Sequence, residues 1–111
     1  GDTGETQSLG ASDGDTTVDA AGADTTFTVE SGNFSVDVEN FEQGDVLDFA
    51  FTDAPQVNNT DASDGVIEVV GTNSADGEVT TINLVGLDSS VDGSVFDTAT
   101  FTSQFGADAL M

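Results

Sequence analysis

Charge of a single sign constrains this chain more than any other feature of its sequence. It contains 22 Asp and Glu residues but no Lys, Arg or His, and its formal net charge is −22 over 111 residues. No carboxylate can therefore pair with a cationic side chain of the same molecule, and self-repulsion opposes a compact fold. We expect the missing positive charge to come from solution, as bound metal ions or as a dense salt atmosphere.

The composition fits one small domain with a modest core. Apolar residues make up 36% of the chain and eight of them are Phe, with no Trp, Tyr or Cys. Without Cys, no disulfide stabilises the domain. No apolar run is long enough for a membrane-spanning helix, and a polyanion repels nucleic acid, so we expect neither a membrane span nor a nucleic-acid partner.

Alternation of apolar and polar residues predicts short β-strands rather than disorder. The predicted strands are Asp24–Glu30, Asn33–Glu39, Val46–Phe51, Gly65–Val70 and Glu78–Leu84, with a further short strand at Thr16–Asp19. A two-residue turn at Ser31-Gly32 would pair Val29 with Phe34 in a hairpin, and both apolar faces would then agree. A second hairpin would set Val70 opposite Val79, with Ile67 and Ile82 on one face.

The C-terminal stretch breaks this pattern, because Phe101 and Phe105 lie four residues apart. Asp97 is a suitable N-cap and Gly106 a suitable end, which favours a short helix, although three Thr residues in the stretch also suit a strand. The fold class predicted is all-β: a small antiparallel β-sandwich or partly closed roll of about six to seven strands. Residues 1–23 are predicted to be a flexible or extended polar arm, able to act as a donor strand, ahead of a β domain at 24–111.

The chain has few of the residue types that usually carry out catalysis. Without His, Cys, Lys or Tyr, the usual bases and activated nucleophiles are missing, and carboxylates alone remain. A pair of carboxylates can hydrolyse glycosides, but 22 of them guarantee accidental pairs. We therefore expect a protein that is not an enzyme.

Calcium is the metal that these side chains suit, because it takes six to eight oxygen ligands. Asp88-Ser-Ser-Val-Asp92-Gly93 has the spacing of a calcium loop, but the bidentate Glu of a full EF-hand is replaced by Ala99. The alternative interpretation is a solvated, Asp-rich turn. Three groups of candidate calcium ligands follow from these spacings: Asp88, Ser90, Asp92 and Asp97; Asp13 and Asp15; Asp61 and Asp64.

Two segments resemble the C-terminal regions of RTX-like calcium-dependent proteins, which bacteria export by type I secretion. One is Phe41-Glu-Gln-Gly-Asp-Val-Leu-Asp-Phe49, and the other is the terminal Asp108-Ala109-Leu110-Met111, which is similar to the end of secreted proteases of that group. The resemblance implies a C-terminal secretion signal within 97–111 and folding outside the cell in calcium. The glycine-rich nonapeptide of that group is absent, so the parallel β-roll and its repeated calcium sites are not expected here.

These observations together predict a secreted, calcium-binding structural protein of the bacterial exterior or cell surface. Its partners would be the type I secretion machinery and copies of itself, assembled into a filament, surface layer or biofilm matrix. Three alternatives stay open at this point: a calcium-dependent adhesin or carbohydrate-binding module, the secretion-signal domain of a larger type I substrate, and a halophile surface protein that folds in monovalent salt alone.

Overall fold

The computed structural model describes residues 5–10, 16–20, 25–49, 51, 55–59 and 64–110. These residues form eight β-strands, arranged in two sheets, and two short helices. The coarse prediction of a β protein is therefore confirmed. In chain order the strands and helices are β1 (Glu5–Leu9), β2 (Thr17–Asp19), β3 (Thr25–Val29), β4 (Phe34–Glu39), β5 (Val46–Phe49), β6 (Gln56–Asn58), β7 (Ile67–Thr72), β8 (Val79–Val85), α1 (Ser89–Asp92) and α2 (Thr98–Phe105).

The first five strands wind between the two sheets as a parallel roll. Sheet A has the order β1-β3-β5 and sheet B the order β2-β4-β8-β7-β6, and the pairs β1–β3, β3–β5 and β2–β4 are all parallel. Glu5 pairs with Thr25 and Thr17 pairs with Asp37, so partners in both sheets are separated by the same length of chain, which is one rung of the roll. The first rung consists of β1 and β2.

The predicted hairpin at Ser31-Gly32 is therefore wrong, and the predicted antiparallel arrangement holds only for the pairs β6–β7 and β7–β8. Val29 pairs with Leu9 and Phe49 in sheet A, whereas Phe34 pairs with Thr80 in sheet B. The bend between β3 and β4 carries the chain across to the other sheet instead of turning it back. The expectation that a parallel roll is absent was also wrong, because this roll forms without the glycine-rich repeat.

Beyond β4, sheet B no longer follows the winding of the roll. The strand next to β4 in this sheet is β8. β8 runs parallel to β4 and antiparallel to β7, and β6 is antiparallel to β7. The predicted second hairpin exists, but Val70 pairs with Thr81 rather than Val79, a shift of two residues. A shift of two keeps every side chain on its face, so Ile67 and Ile82 are both buried as predicted.

The core lies between the sheets and under α2. Phe101 and Phe105 of α2 are both buried and pack on Phe41, with ring centroids 5.9 and 5.0 Å from the Phe41 ring. The C-terminal helix is thus confirmed, together with its predicted cap at Asp97 and its end at Gly106. Spacing of four residues puts both rings on one helix face, which explains why the stretch forms a helix despite its Thr residues.

The two ends of the roll differ. After α2, the Leu47 N–H donates to the Ala109 carbonyl at 2.8 Å and Leu110 forms a parallel bridge with Leu47, so the C-terminal segment covers the outer edge of β5. In sheet B, the beginning of α2 lies against β6. At the other end, β1 and β2 are edge strands of their sheets, and no other strand or helix of the described residues pairs with their outer edges. We call this face of the first rung the open end.

Residues 1–23, predicted to form an arm, contain β1 and β2. Both strands pair with strands of the same chain, and Leu9 is completely buried between the sheets. A role of this region as a donor strand for a neighbouring molecule stays a prediction.

Candidate functional site

The predicted calcium loop at residues 88–93 contains the short helix α1. Asp88 stands at its N-cap, and its carbonyl oxygen accepts from the N–H groups of Val91 and Asp92 at 3.0 and 2.9 Å. Asp88 and Ser90 are exposed to solvent, whereas Asp92 is completely buried. The helical turn therefore separates ligands that a calcium loop would have gathered around one ion.

Asp92 takes neutral hydrogen-bond donors from the loop that follows β6. Its Oδ1 accepts from Asn59 Nδ2 at 2.9 Å, and its Oδ2 accepts from the Gly65 N–H at 2.7 Å. Because Asn59 and Gly65 flank residues 60–64, both ends of that loop are fastened to a single carboxylate. The structure thus brings Asn59 and Gly65, on either side of the segment that contains Asp61 and Asp64, to Asp92.

A second buried carboxylate is used in the same way. Asp45, only 1% exposed, accepts from the Thr25 N–H through Oδ1 and from the Glu42 N–H through Oδ2, both at 2.9 Å. It joins the beginning of β3 to the turn before β5. Charge-assisted bonds from N–H groups stabilise a carboxylate without any cation, so both of these buried acids are satisfied by neutral donors of the same chain.

Asp97 acts as the cap of α2. Its Oδ1 accepts from the Thr100 N–H at 2.8 Å and from the Thr100 hydroxyl at 2.7 Å. These bonds, the backbone one first, lower the pKa of Asp97 below its usual value. The carboxylate is exposed and ionised, with both Thr100 donors committed to it.

The remaining predicted ligands are spread over the surface or lie outside the described residues. Asp64 is exposed, and its Oδ1 accepts from the Val66 N–H at 2.9 Å in a local turn. Asp13, Asp15 and Asp61 lie outside the described residues. Within the described ranges no group of three or more Asp, Glu, His or Cys side chains gathers at one point. Calcium binding at the predicted sites stays a prediction.

An acidic pair that the sequence interpretation missed lies in the turn between β7 and β8. The neighbouring Asp76 raises the pKa of Glu78, first through a side-chain hydrogen bond and then through its charge. The Glu78 N–H donates to Asp76 Oδ1 at 3.0 Å, which holds the two residues together in spite of their charges. The sequence feature that indicates this pair is the Asp-Gly-Glu run at residues 76–78, where a tight turn brings the first and third side chains together.

The predicted secretion signal is folded onto the domain. Asp108 is exposed, Ala109 is buried and Leu110 packs against the core, while Met111 lies outside the described residues. In the folded protein this segment serves as the cover of β5. Its role as a secretion signal stays a prediction.

The open end of the roll carries the feature that the sequence interpretation missed most completely. Gln7 stands in register with Phe27 and Leu47, both buried, but is itself exposed. An inward-facing row of the roll therefore ends at a polar side chain in water. Leu9, Val29 and Phe49 are evenly spaced along the chain, as are positions 7, 27 and 47. This repeat was the available signal, and it was hidden because position 7 is the polar Gln7.

No protein-family model, curated protein or solved structure matches this chain. In the parts of the chain that the structure describes, neither helix has the length and apolar character needed to cross a bilayer.

Proposed function

We propose that this protein is a non-catalytic, calcium-binding structural module of the bacterial exterior that associates with a second copy of itself through the open end. One observation carries the association: the C-terminal segment and α2 cover one end of the roll, while β1 and β2 are edge strands at the other. An uncovered strand edge presents backbone donors and acceptors that pair readily with another strand.

The side chains of β1 suit contact with a partner. Thr6, Gln7 and Ser8 are all exposed and uncharged, in a chain where one residue in five is acidic. These three positions carry no charge, whereas Glu5 at the beginning of β1 and Asp19 at the end of β2 do, so two copies that meet over residues 6–8 would repel less there than at those carboxylates.

Calcium is part of the proposal because two copies that each carry a charge of −22 repel each other strongly. The two buried aspartates are satisfied by N–H donors, so calcium is available to the exposed carboxylates, including the Asp76 and Glu78 pair. A divalent ion shared by such oxygens lowers the repulsion both within one copy and between copies. Secretion of the unfolded chain through its C-terminal signal would keep it from these ions until it is outside.

The geometry favours pairs of copies over filaments. One open end allows a closed, two-fold contact, in which the same patch on both copies is used up. A filament, surface layer or matrix requires a second contact surface in addition to this one.

The same open end also favours a second candidate function, the terminal module of a longer protein. A preceding rung of the same length would continue both sheets in the parallel register that the first and second rungs already show. In that case the open end is filled by the same polypeptide, and the module closes the roll and carries the secretion signal.

Sedimentation of the purified chain over a range of concentrations tests the association. We expect dimers in millimolar calcium and monomers in chelator at equal ionic strength. Gln7→Glu, which adds a carboxylate on the inward row at the open end, should leave a folded monomer, whereas Ser90→Glu, with the same charge change on α1, should still dimerise. Monomers at every concentration in calcium would overturn the pairing of copies and leave the terminal-module candidate. Dimers unaffected by Gln7→Glu would move the contact elsewhere.

A further inference from the structure

A cleft of about 370 Å³ opens where the turn after β4 meets the segment that joins β8 to α1. It is lined by residues 40–43 and 86–88, by Val91 of α1, and by Gln104 and Phe105 at the end of α2. Sites for small organic groups have volumes of about 300–1,000 Å³. The space is therefore large enough for an organic group and larger than a single metal ion requires.

Contacts within the chain hold the lining of this cleft in place. The rings of Phe41 and Phe105 pack edge to face, with centroids 5.0 Å apart. The Gly44 N–H donates to the Phe105 carbonyl at 3.3 Å, which ties the turn after β4 to α2. On the other side, the Leu87 N–H donates to the Gly65 carbonyl at 3.0 Å. The cleft is thus formed before any ligand arrives.

Four polar side chains line the cleft, and all of them are exposed: the carboxylates of Glu42 and Asp88 and the amides of Gln43 and Gln104. Asp88 stands at the N-cap of α1, but its side chain accepts no capping hydrogen bond. Among the described residues, none hydrogen-bonds to the side chains of the other three. Two carboxylates and two amides are therefore free to bind a ligand.

The chemistry of the lining selects a cation on an apolar stem. Glu42 and Asp88 attract positive charge, and the whole chain has no basic side chain that could neutralise them. Leu87 and Val91 are only partly buried and pack on the core, so they offer apolar surface beside the carboxylates. Basic side chains bind in this way, with the methylene stem on apolar surface and the charged group among polar atoms.

We infer that this cleft binds a lysine side chain of another protein. The compact ammonium of lysine can contact carboxylates from two separate segments, whereas the planar fork of arginine is best matched to one. The amides of Gln43 and Gln104 can both donate and accept, as the peptide groups on either side of a bound lysine require. A second copy of this chain cannot provide the lysine, because the chain contains none. The partner is therefore a different protein, and the inference goes beyond the contact between copies at the open end.

Three matched probes test the ligand. Lysine blocked as an acetyl and a methyl amide presents the stem, the charge and both peptide groups. Blocked norleucine lacks the charge, and n-butylammonium lacks the peptide groups. Amide NMR of the full chain in calcium buffer at constant ionic strength should show saturable shifts at Gly86, Leu87 and the Gln104 side chain with blocked lysine. Binding should be weaker with n-butylammonium and absent with blocked norleucine.

Matched substitutions separate the cleft from the general attraction of a polyanion for cations. Glu42→Gln and Asp88→Asn should each weaken the binding of blocked lysine by roughly two- to fivefold, the effect of one exposed ion pair. Glu68→Gln makes the same change at an exposed position on β7, outside the cleft, and should leave the affinity unchanged.

Three results would overturn the inference. Equal weakening by Glu42→Gln and Glu68→Gln would show that the probe only follows the net charge. Blocked norleucine that binds as well as blocked lysine would show that the carboxylates play no part. Equal affinity for n-butylammonium and blocked lysine would replace the partner protein with a free amine. None of these results depends on whether the protein is a monomer or a dimer.

Discussion

Gly71 on β7 lies directly against the ring of Phe49 on β5. A Cβ atom at position 71 would meet Cδ2 of Phe49 at 2.5 Å and Cζ of Phe51 at 3.0 Å. The contact packs β7 of sheet B against β5 of sheet A, in the part of sheet B that does not belong to the roll. It leaves no room for a side chain at position 71. It explains why the strand Ile67–Thr72 has a glycine at an inward-facing position.

Gly71→Ala should therefore destabilise the fold by about 1–3 kcal/mol, because overpacking forces the Phe49 ring from its place. Gly10→Ala is the control, since the nearest described atoms that a Cβ would meet there belong to the flexible Glu30 carboxylate, at 3.4 Å. Urea denaturation provides the free energies of unfolding. Adding Phe49→Leu to Gly71→Ala should recover part of the loss, and strictly additive losses would show that the two positions do not touch.

The bonds to Asp45 predict a large effect at a residue that sequence alone would place on the surface. Asp45→Ala leaves the N–H groups of Thr25 and Glu42 without this acceptor, at a cost of roughly 1–3 kcal/mol for the buried Thr25 donor and less for the part-buried Glu42 donor. Asp45→Asn keeps one acceptor oxygen and should lose less. The control is Asp48→Ala, on the outer face of β5, which should change the free energy of unfolding by less than about 0.5 kcal/mol. Equal effects at positions 45 and 48 would contradict the contacts at Asp45.

Paired cysteines distinguish the parallel roll from the antiparallel hairpin. Thr28 and Asp48 are register partners in adjacent parallel strands, whereas the hairpin would have set Thr28 opposite Ser35. Adjacent strands lie about 4.8 Å apart, within the Cα separation of about 4.4–6.8 Å that a disulfide spans. Because the chain has no other Cys, oxidation should give an intramolecular disulfide in Thr28→Cys/Asp48→Cys and free thiols in Thr28→Cys/Ser35→Cys. The reverse pattern by intact mass would refute the roll.

The cap of α2 predicts a local acid sensitivity with a definite sign. The Thr100 donors lower the pKa of Asp97, so its contribution to stability is present above the usual carboxyl pKa and is lost as the pH falls through the lowered value. Acid also relieves the repulsion among the other carboxylates, which masks this loss in the wild type alone. The difference in melting temperature between the wild type and Asp97→Ala should shrink as the pH falls. A difference that does not depend on pH would exclude the ionised cap.

The positions of most strands could be predicted from the sequence, but the way in which they pair could not. Alternation at Phe27 and Val29, and at Val36 and Val38, reports only that one face is buried. A hairpin and a rung of a roll bury the same face, so the pattern cannot distinguish them. Pairing between successive rungs depends on contacts far along the chain, and the polar Gln7 conceals the repeat that would have revealed them.

The candidate site was predictable only in part for a related reason. Asp97 and Gly106 belong to a local capping pattern, which sequence spacing displays directly. Asp92 is different, because its sequence context is that of a surface acid in a turn. It is buried in the structure, where Asn59 and Gly65, which are distant from it in sequence, donate hydrogen bonds to it. Donors that are distant in sequence decide whether a carboxylate can be buried, and the spacing of residues near that carboxylate does not reveal them.

Thermal unfolding followed by circular dichroism, in calcium and in chelator at equal and low ionic strength, tests the central claim most directly. The account holds that a chain with 22 carboxylates and no basic side chain takes its countercharge from bound divalent ions. It predicts a cooperative β-sheet transition in millimolar calcium, a melting temperature far lower or no folded state in chelator, and little recovery when sodium chloride replaces calcium. The same melting temperature in both buffers would contradict it.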